Sequence, residues 1–108
     1  MRVWHLNEID TPKGRRSPVV LGSEDSRALL IRLAPGQELG EHQVRERAWV
    51  VVVEGSVDIE TEQETITAAA GTLLEFDPTE RRAARSANGA RLLILLAPWP
   101  GPGHYPAD

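Results

Sequence analysis

Apolar and polar residues alternate in short runs along this chain of 108 residues, and glycine or proline separates the runs. Residues 27–33 show the pattern best. Leu29, Ile31 and Leu33 fall on one face of an extended strand, and the residues between them fall on the other face. No stretch has the period of a convincing amphipathic helix, and most apolar runs are too short for a typical globular helix. The pattern therefore predicts an all-β protein.

A run of four valines at residues 50–53 marks the centre of the predicted sheet. Valine is stiff at its first side-chain torsion and favours a pleated strand. Both faces of this strand are apolar, so both must be covered. We predict a strand at 49–53, a turn at 54–56 and a return strand at 57–60. Asn88-Gly89 is the strongest short hairpin signal, and it predicts a hairpin between strands 81–86 and 90–97.

Further strands are predicted at 3–6, 17–21, 65–68 and 72–76, and the polar residues 37–48 are predicted to form a loop. Such a series of short strands fits a single-domain antiparallel sandwich or barrel. We assign residues 1–98 to the barrel and the Pro- and Gly-rich residues 99–108 to a C-terminal tail. Either the tail is loose, or Trp99 and Tyr105 pack across the barrel or onto a second subunit.

Composition and charge exclude several classes of function. The chain has 41% hydrophobic and 26% charged residues, as globular domains do. The absence of cysteine excludes disulfides, thiolate zinc sites and a cysteine nucleophile. The net charge of −4 argues against a nucleic-acid partner. No apolar run is long enough for a membrane span, and the first residues do not form a signal peptide. We therefore expect a cytoplasmic protein without a membrane partner.

Two segments carry glycines at the spacing of a known pair of motifs. In the first, Gly36 is followed after five residues by His42, and Gly55 closes the motif. The second His position of that motif holds Val44, and its Glu position holds Ala48, or Trp49 with the longer spacer.

The second segment begins at Gly71. Counted without a gap, the glycine position of its motif is Thr79, the His position is Arg82 and the Asn position is Ser86. Anchoring the count on Pro78 instead moves the His position to Ala83, and neither register supplies a histidine.

These segments resemble the two motifs of the cupin family. The resemblance implies a small single-domain, double-stranded β-helix barrel of the jelly-roll type, often dimeric, and we expect a homodimer. Cupin enzymes usually bind a transition metal through three histidines and one glutamate, of which this chain keeps only His42. Glu46 is the better placed of the nearby carboxylates to replace a lost ligand. We nevertheless expect a degenerate metal site that binds neither a metal nor another cofactor.

His42, Val44, Ala48 and Arg82 are the candidate ligand-binding residues. A guanidinium offers a fork of donors suited to a carboxylate or phosphate, and Val44 and Ala48 would add an apolar wall. We therefore expect a pocket for a small, partly apolar anion. In the competing interpretation Arg82 is a surface residue paired with Glu80 or Glu75, and His42 is bound to backbone.

Four functions stay open. The first is a metal-independent cupin that binds a small molecule, as a sensor or accessory domain. The second is an isomerase- or epimerase-like enzyme with His42 as base and Arg82 stabilising an enolate. Against it, the sequence offers no plausible partner acid, because the single tyrosine, Tyr105, lies in the tail. The third is a metal-dependent dioxygenase, and the fourth is an interaction module.

Overall fold

The computed structural model describes residues 1–11 and 19–102, apart from the side chains of Glu41 and His42. Within these residues the chain forms eight strands and one 3₁₀ turn, Leu6–Glu8. No helix in the described ranges is long and apolar enough to cross a membrane. The strands are β1 Val19–Ser23, β2 Arg27–Leu33, β3 Glu38–His42, β4 Arg47–Glu60, β5 Thr65–Ala69, β6 Leu73–Phe76, β7 Arg82–Arg85 and β8 Ala90–Ala97.

All strand pairs are antiparallel, and the strands follow one another in the order β1-β2-β8-β4-β7-β3. The first half of β4 pairs with β8 and β6, and its second half pairs with β5 and β7. The sheet therefore curls around β4 into a barrel, which confirms the all-β, double-stranded β-helix architecture predicted from the sequence.

The core lies on the inner side of the curled sheet. Alternate residues of β4 are buried there, as period-2 geometry requires, while the residues between them are partly exposed. Leu92 and Leu96 of β8 and Phe76 of β6 pack against the same cluster. In β2, Ile31 and Leu33 face this core, and Leu30 is also fully buried although it lies outside the cluster. Both faces of β2 are thus covered over part of its length.

The predicted hairpin at residues 54–56 is wrong, because β4 continues through it as one strand of 14 residues. The pairing with β8 shifts register between Val52 and Glu54, which marks a β-bulge. Gly55 follows at φ +77, and a Cβ there would collide with the backbone oxygen of Gly89. The glycine therefore lets the chain bend between the two halves of the sheet where the sequence pattern suggested a reversal.

Two further predictions are wrong. Residues 38–42 were predicted as loop but form β3. This strand comes last in the strand order and is therefore an edge strand, where polar side chains are common. Asn88-Gly89 does not close a hairpin, because β7 pairs with β4 and β3 while β8 pairs with β2 and β4. The turn instead carries the chain from one half of the sheet to the other. The sequence signal marked the turn correctly but not the partners of its strands.

The predicted strand at 3–6 is absent, and Arg91 provides the reason. Its Nη2 donates hydrogen bonds to the carbonyl oxygens of Leu6 (2.6 Å) and Ile9 (2.7 Å), and its Nε lies 3.3 Å from the Thr11 hydroxyl. These carbonyls are satisfied by a guanidinium instead of a neighbouring strand. The N-terminal segment therefore lies over the Arg91 side chain, which is buried.

Several apolar side chains remain exposed, including Val20, Leu73 and Leu95. They lie on β1, β6 and β8, so apolar surface is distributed over three strands. The homodimer expected from the sequence stays a prediction.

Substitution of Gly55 by alanine tests the role of the bulge. We expect Gly55→Ala to lower the free energy of unfolding by at least about 3 kcal/mol, because it combines a positive φ with a backbone collision. Gly36→Ala is the matched control, since Gly36 also has a positive φ but nothing lies within 4 Å of its missing Cβ. That control should lose about 1 kcal/mol. Urea denaturation followed by tryptophan fluorescence measures both, and equal losses would contradict the collision.

Candidate functional site

Arg82 lies on the buried face of β7. It shares this face with the core residue Ala84, whereas Ala83 between them is only half-buried. The Arg82 residue is 6% exposed, and its guanidinium carbon lies 4.7 Å from the centre of the Phe76 ring. Its Nη1 donates a hydrogen bond to the carbonyl oxygen of Glu80 at 3.1 Å. The structure therefore places a guanidinium against the core, not on the open surface.

The position of Arg82 changes its electrostatics. Burial lowers the pKa of Arg82, because removal from water disfavours the charged form. The carboxylate of Glu80 acts in the opposite direction and raises this pKa by its charge. Arginine starts from so high a value that the side chain remains a cation at neutral pH. An anion that reached Arg82 would compensate the lost hydration.

The structure places Ala48 within the core cluster that contains Phe76, and Val44 against it. Ala48 is directly opposite Phe76 in the pairing of β4 with β6, and it is completely buried. Val44 is partly buried and packs against the same core cluster. Ala48 and Arg82 are thus both neighbours of Phe76, and Val44 packs against the core cluster to which Phe76 belongs. Sequence analysis missed Phe76 as a site residue. The one signal for its inward position was that Leu74 and Phe76 are two residues apart and so lie on the same face of β6.

His42 is placed by its backbone alone. It is the last residue of β3, and its Cα is the pairing partner of the Arg82 Cα in the antiparallel ladder. The two residues therefore occupy directly opposite positions on neighbouring strands. The isomerase hypothesis depends on the His42 side chain and on Tyr105, which are outside the described part of the structure, and it stays a prediction.

Thr79 helps to decide the register of the second motif. Its φ of +66° lies in the left-handed region, which glycine adopts freely and a β-branched residue rarely does. In the ungapped count Thr79 stands at the glycine position and Arg82 at the His position. The strained backbone of Thr79 and the buried face of Arg82 both favour that register over the one that selects Ala83.

Three adjoining depressions open in this part of the barrel, and Arg82 lines the first of them. One of about 150 Å³ is lined by Glu60, Thr61, Glu62, Arg81, Arg82 and Ala83. A second of about 340 Å³ shares Thr61, Glu62 and Arg81 with it, and a third of about 200 Å³ shares Thr61 and Glu80 with the second. We call this region, between residues 59–66 and 74–83, the mouth. The third depression also reaches the core residues Ile59 and Phe76.

Carboxylates dominate the mouth, but some of them are engaged. Arg47 Nη1 lies 2.9 Å from a carboxylate oxygen of Glu75 and 2.7 Å from one of Asp77. Both hydrogen bonds raise the pKa of Arg47, and the bond to Asp77 has the larger effect. Glu80 accepts a hydrogen bond from the Asp77 backbone N–H at 2.9 Å. Within the described ranges, Glu60 and Glu62 form no ion pair or side-chain hydrogen bond. Neither Glu75 nor Glu80 forms an ion pair with Arg82 in that part of the chain, so the predicted surface pairing is not present there.

The chain after β8 closes over another part of the barrel. Trp99 packs against the core, its backbone N–H donates a hydrogen bond to the Asp25 carbonyl oxygen at 2.8 Å, and its ring centre lies 4.5 Å from the guanidinium carbon of Arg27. The Gly101 N–H donates at 2.7 Å to the carboxylate of Glu46, which is 1% exposed. For Trp99 the structure shows the packed alternative, while Tyr105 lies outside the described residues.

The donor set around Arg82 does not fit a transition metal. Val44 and Ala48 carry no ligating atom, and Arg82 places a permanent positive charge where a cation would need a neutral or anionic ligand. Glu46 already binds the Gly101 N–H. Among the side chains that the structure describes, no three His, Cys, Asp or Glu residues lie together in a group that could hold a metal.

Solved structures with the same architecture define the class of fold. A protein with a double-stranded beta-helix domain from Klebsiella pneumoniae has a TM-score of 0.77 at 19% identity, covering 91% of this chain and 90% of its own. An RmlC-like cupin from Shewanella frigidimarina has a TM-score of 0.71 at 23% identity, covering 75% and 74%. A cupin superfamily protein from Desulfitobacterium hafniense has a TM-score of 0.73 at 12% identity, covering 86% of both chains.

These likenesses assign the barrel to the double-stranded β-helix class. More particularly, this chain has the fold of a small cupin domain, which confirms the resemblance seen in its motifs. No protein-family model and no curated protein matches the chain. Because one fold supports many activities, function has to be argued from the residues of the site.

Replacement of Thr79 by glycine tests whether the loop before β7 is strained. We expect Thr79→Gly to raise the free energy of unfolding by up to about 1 kcal/mol, because relief of the left-handed strain exceeds the added chain entropy. Thr65→Gly, at an exposed position of β5, is the control and should lower it by about 0.5–1 kcal/mol. Chemical denaturation measures both changes. Destabilisation of the Thr79 variant to the same extent would contradict the strain.

Proposed function

We propose that this protein is a metal-independent cupin that binds a small, partly apolar anion, with Arg82 as the anchoring cation. The observation that carries the proposal is a buried guanidinium beside an open depression. Arg82 is 6% exposed, stacks on Phe76 and lines the depression of about 150 Å³. Buried cations are costly unless they are paired, and functional sites are where proteins retain them.

The chemistry of the guanidinium favours a carboxylate or a phosphate. An arginine has five N–H donors in a rigid fork. Within the described ranges the Arg82 side chain makes one hydrogen bond, from Nη1 to Glu80. The remaining donors can bind the two oxygens of an oxyanion, and such charge-assisted bonds are about twice as strong as neutral ones. Stacking on Phe76 keeps the fork in a fixed plane.

An apolar surface lies next to this cation. Ile59, Ile66, Leu74 and Phe76 all line the third depression of the mouth. Ala48 and Val44 support this surface from within, since Ala48 is opposite Phe76 and Val44 packs against the same cluster. A ligand with a short hydrocarbon part would contact these side chains while its anionic group binds Arg82.

His42 is proposed as a second ligand-binding residue because its backbone is opposite that of Arg82. We expect His42→Ala to weaken anion binding by a smaller factor than a substitution of Arg82. A guanidinium remains in place in the first variant and is lost in the second. Titration calorimetry on both variants measures the two factors, and unchanged binding by His42→Ala would remove this residue from the site.

Thermal-shift measurements with straight-chain carboxylates of three to eight carbons test the anchoring role of Arg82. At a hundredfold excess over Kd, a ligand should stabilise the protein by about 2.7 kcal/mol. We expect Arg82→Met to weaken carboxylate binding at least about tenfold, because the charge-assisted bonds are lost. Without ligand, this variant should stay within about 1 kcal/mol of the parent, since methionine removes both a buried charge and its stacking energy.

Arg85→Met is the matched control. Arg85 is on the same strand as Arg82 but exposed, so the substitution removes the same charge from the other face of β7. Carboxylate binding by this control should be unchanged. Equal losses in both variants, or no carboxylate binding by the parent protein, would overturn the proposed function.

A further inference from the structure

The depression that Arg82 lines also contains acidic side chains. Glu60 ends β4 and Glu62 lies in the turn before β5, and both are lining residues together with Arg82. Both glutamates are exposed, whereas Arg82 is buried. One small depression of about 150 Å³ thus has the buried cation of Arg82 in its wall, and two carboxylates and the exposed guanidinium of Arg81 at its rim.

These opposite charges do not neutralise one another. Within the described part of the chain, no carboxylate oxygen of Glu60 or Glu62 forms an ion pair with Arg82. The one carboxylate whose charge raises the pKa of Arg82 is that of Glu80, and this opposes the stronger effect of burial. The two carboxylates are therefore separated from the Arg82 guanidinium. Among the described residues, Glu60 and Glu62 have no ion-pair or side-chain hydrogen-bond partner.

From this separation we propose that the ligand is a zwitterion, which binds Arg82 with its carboxylate and Glu60 and Glu62 with an ammonium group. The inference rests on the proposed function, since it requires Arg82 as the anion anchor, and it adds the class of ligand. Glu60 and Glu62 outnumber Arg81 at the rim, so a simple anion meets a net negative charge there before it reaches Arg82. A ligand with both charges, separated by a short apolar chain, is attracted at both ends.

The size of the depression limits the ligand. A cavity of about 150 Å³ can hold a molecule the size of benzene, which has six carbon atoms. A short ω-amino acid such as 4-aminobutyrate matches this size and separates its two charges by three methylene groups. The apolar side chains of the adjoining third depression provide room for a somewhat longer chain.

A matched trio of probes tests the inference. 4-Aminobutyrate, butanoate and butylamine share one carbon chain and differ only in their charged groups. We expect 4-aminobutyrate to bind at least about tenfold more tightly than either of the others, in NMR titrations of the full-length protein labelled with ¹⁵N. The series glycine, 3-aminopropanoate, 4-aminobutyrate and 6-aminohexanoate then measures the separation of charges that fits best.

The double variant Glu60→Gln, Glu62→Gln assigns the ammonium site. It should remove the advantage of 4-aminobutyrate while leaving butanoate binding unchanged or stronger, because two repelling charges are lost. Glu24→Gln, in the exposed turn between β1 and β2, is the control and should affect neither probe. Thermal denaturation of each variant confirms that it is folded.

The outcomes separate this inference from the proposed function. If butanoate binds as tightly as 4-aminobutyrate and its binding depends on Arg82, the zwitterion is excluded and the anion site stands. If butylamine binds as tightly as 4-aminobutyrate, the mouth is a cation site and the inference is overturned. If no carboxylate, simple or ω-amino, binds in a way that depends on Arg82, both proposals fail.

Discussion

The bend within β4 is the constraint on which the rest of the structure depends. One strand of 14 residues supplies partners to β8 and β6 in its first half and to β5 and β7 in its second. A flat strand could not belong to both halves of a barrel, so the chain has to bend between them. The bulge after Val52 and the positive φ of Gly55 provide the bend. The close approach of the Gly89 backbone leaves no space for a side chain there.

The same bend creates the candidate site. Phe76 pairs with the first half of β4, while β7 carries Arg82 and pairs with the second half. The residues between β6 and β7 must therefore cross from one half to the other, and Thr79 adopts its strained backbone within that crossing. The outcome is an arginine stacked on an aromatic ring at the edge of the core. An apolar core does not need a buried cation. We therefore base the proposed function on the Arg82 guanidinium.

Several residues of the candidate site could be proposed from the sequence, because strand parity and motif spacing are local properties. The spacing from Gly71 identified Arg82, and the spacing from Gly36 identified Val44 and Ala48. The competing register, which selected Ala83, was left open because a one-residue shift exchanges the two faces of a strand. Phe76 was missed because its contact with Arg82 joins two strands that are not paired with each other. Glu60 and Glu62 were not identified from the sequence, because their proximity to Arg82 depends on the closed barrel.

By itself, the sequence determined the class of fold. Period-2 alternation, the valine run and the regular glycines indicate short antiparallel strands around an apolar core, because alternate residues of a strand form one face that has to be buried. The strands predicted at 57–60 and 65–68 also leave residues 61–64 as the turn between them, where the Thr61 N–H donates to the Glu64 carbonyl. The tertiary structure decided which strands became neighbours. Asn88-Gly89 and residues 54–56 both had the local signs of hairpins, and the barrel used one as a crossover and the other as a bulge. Pairing between distant strands is chosen by burial over the whole chain, and a short window of sequence does not contain that information.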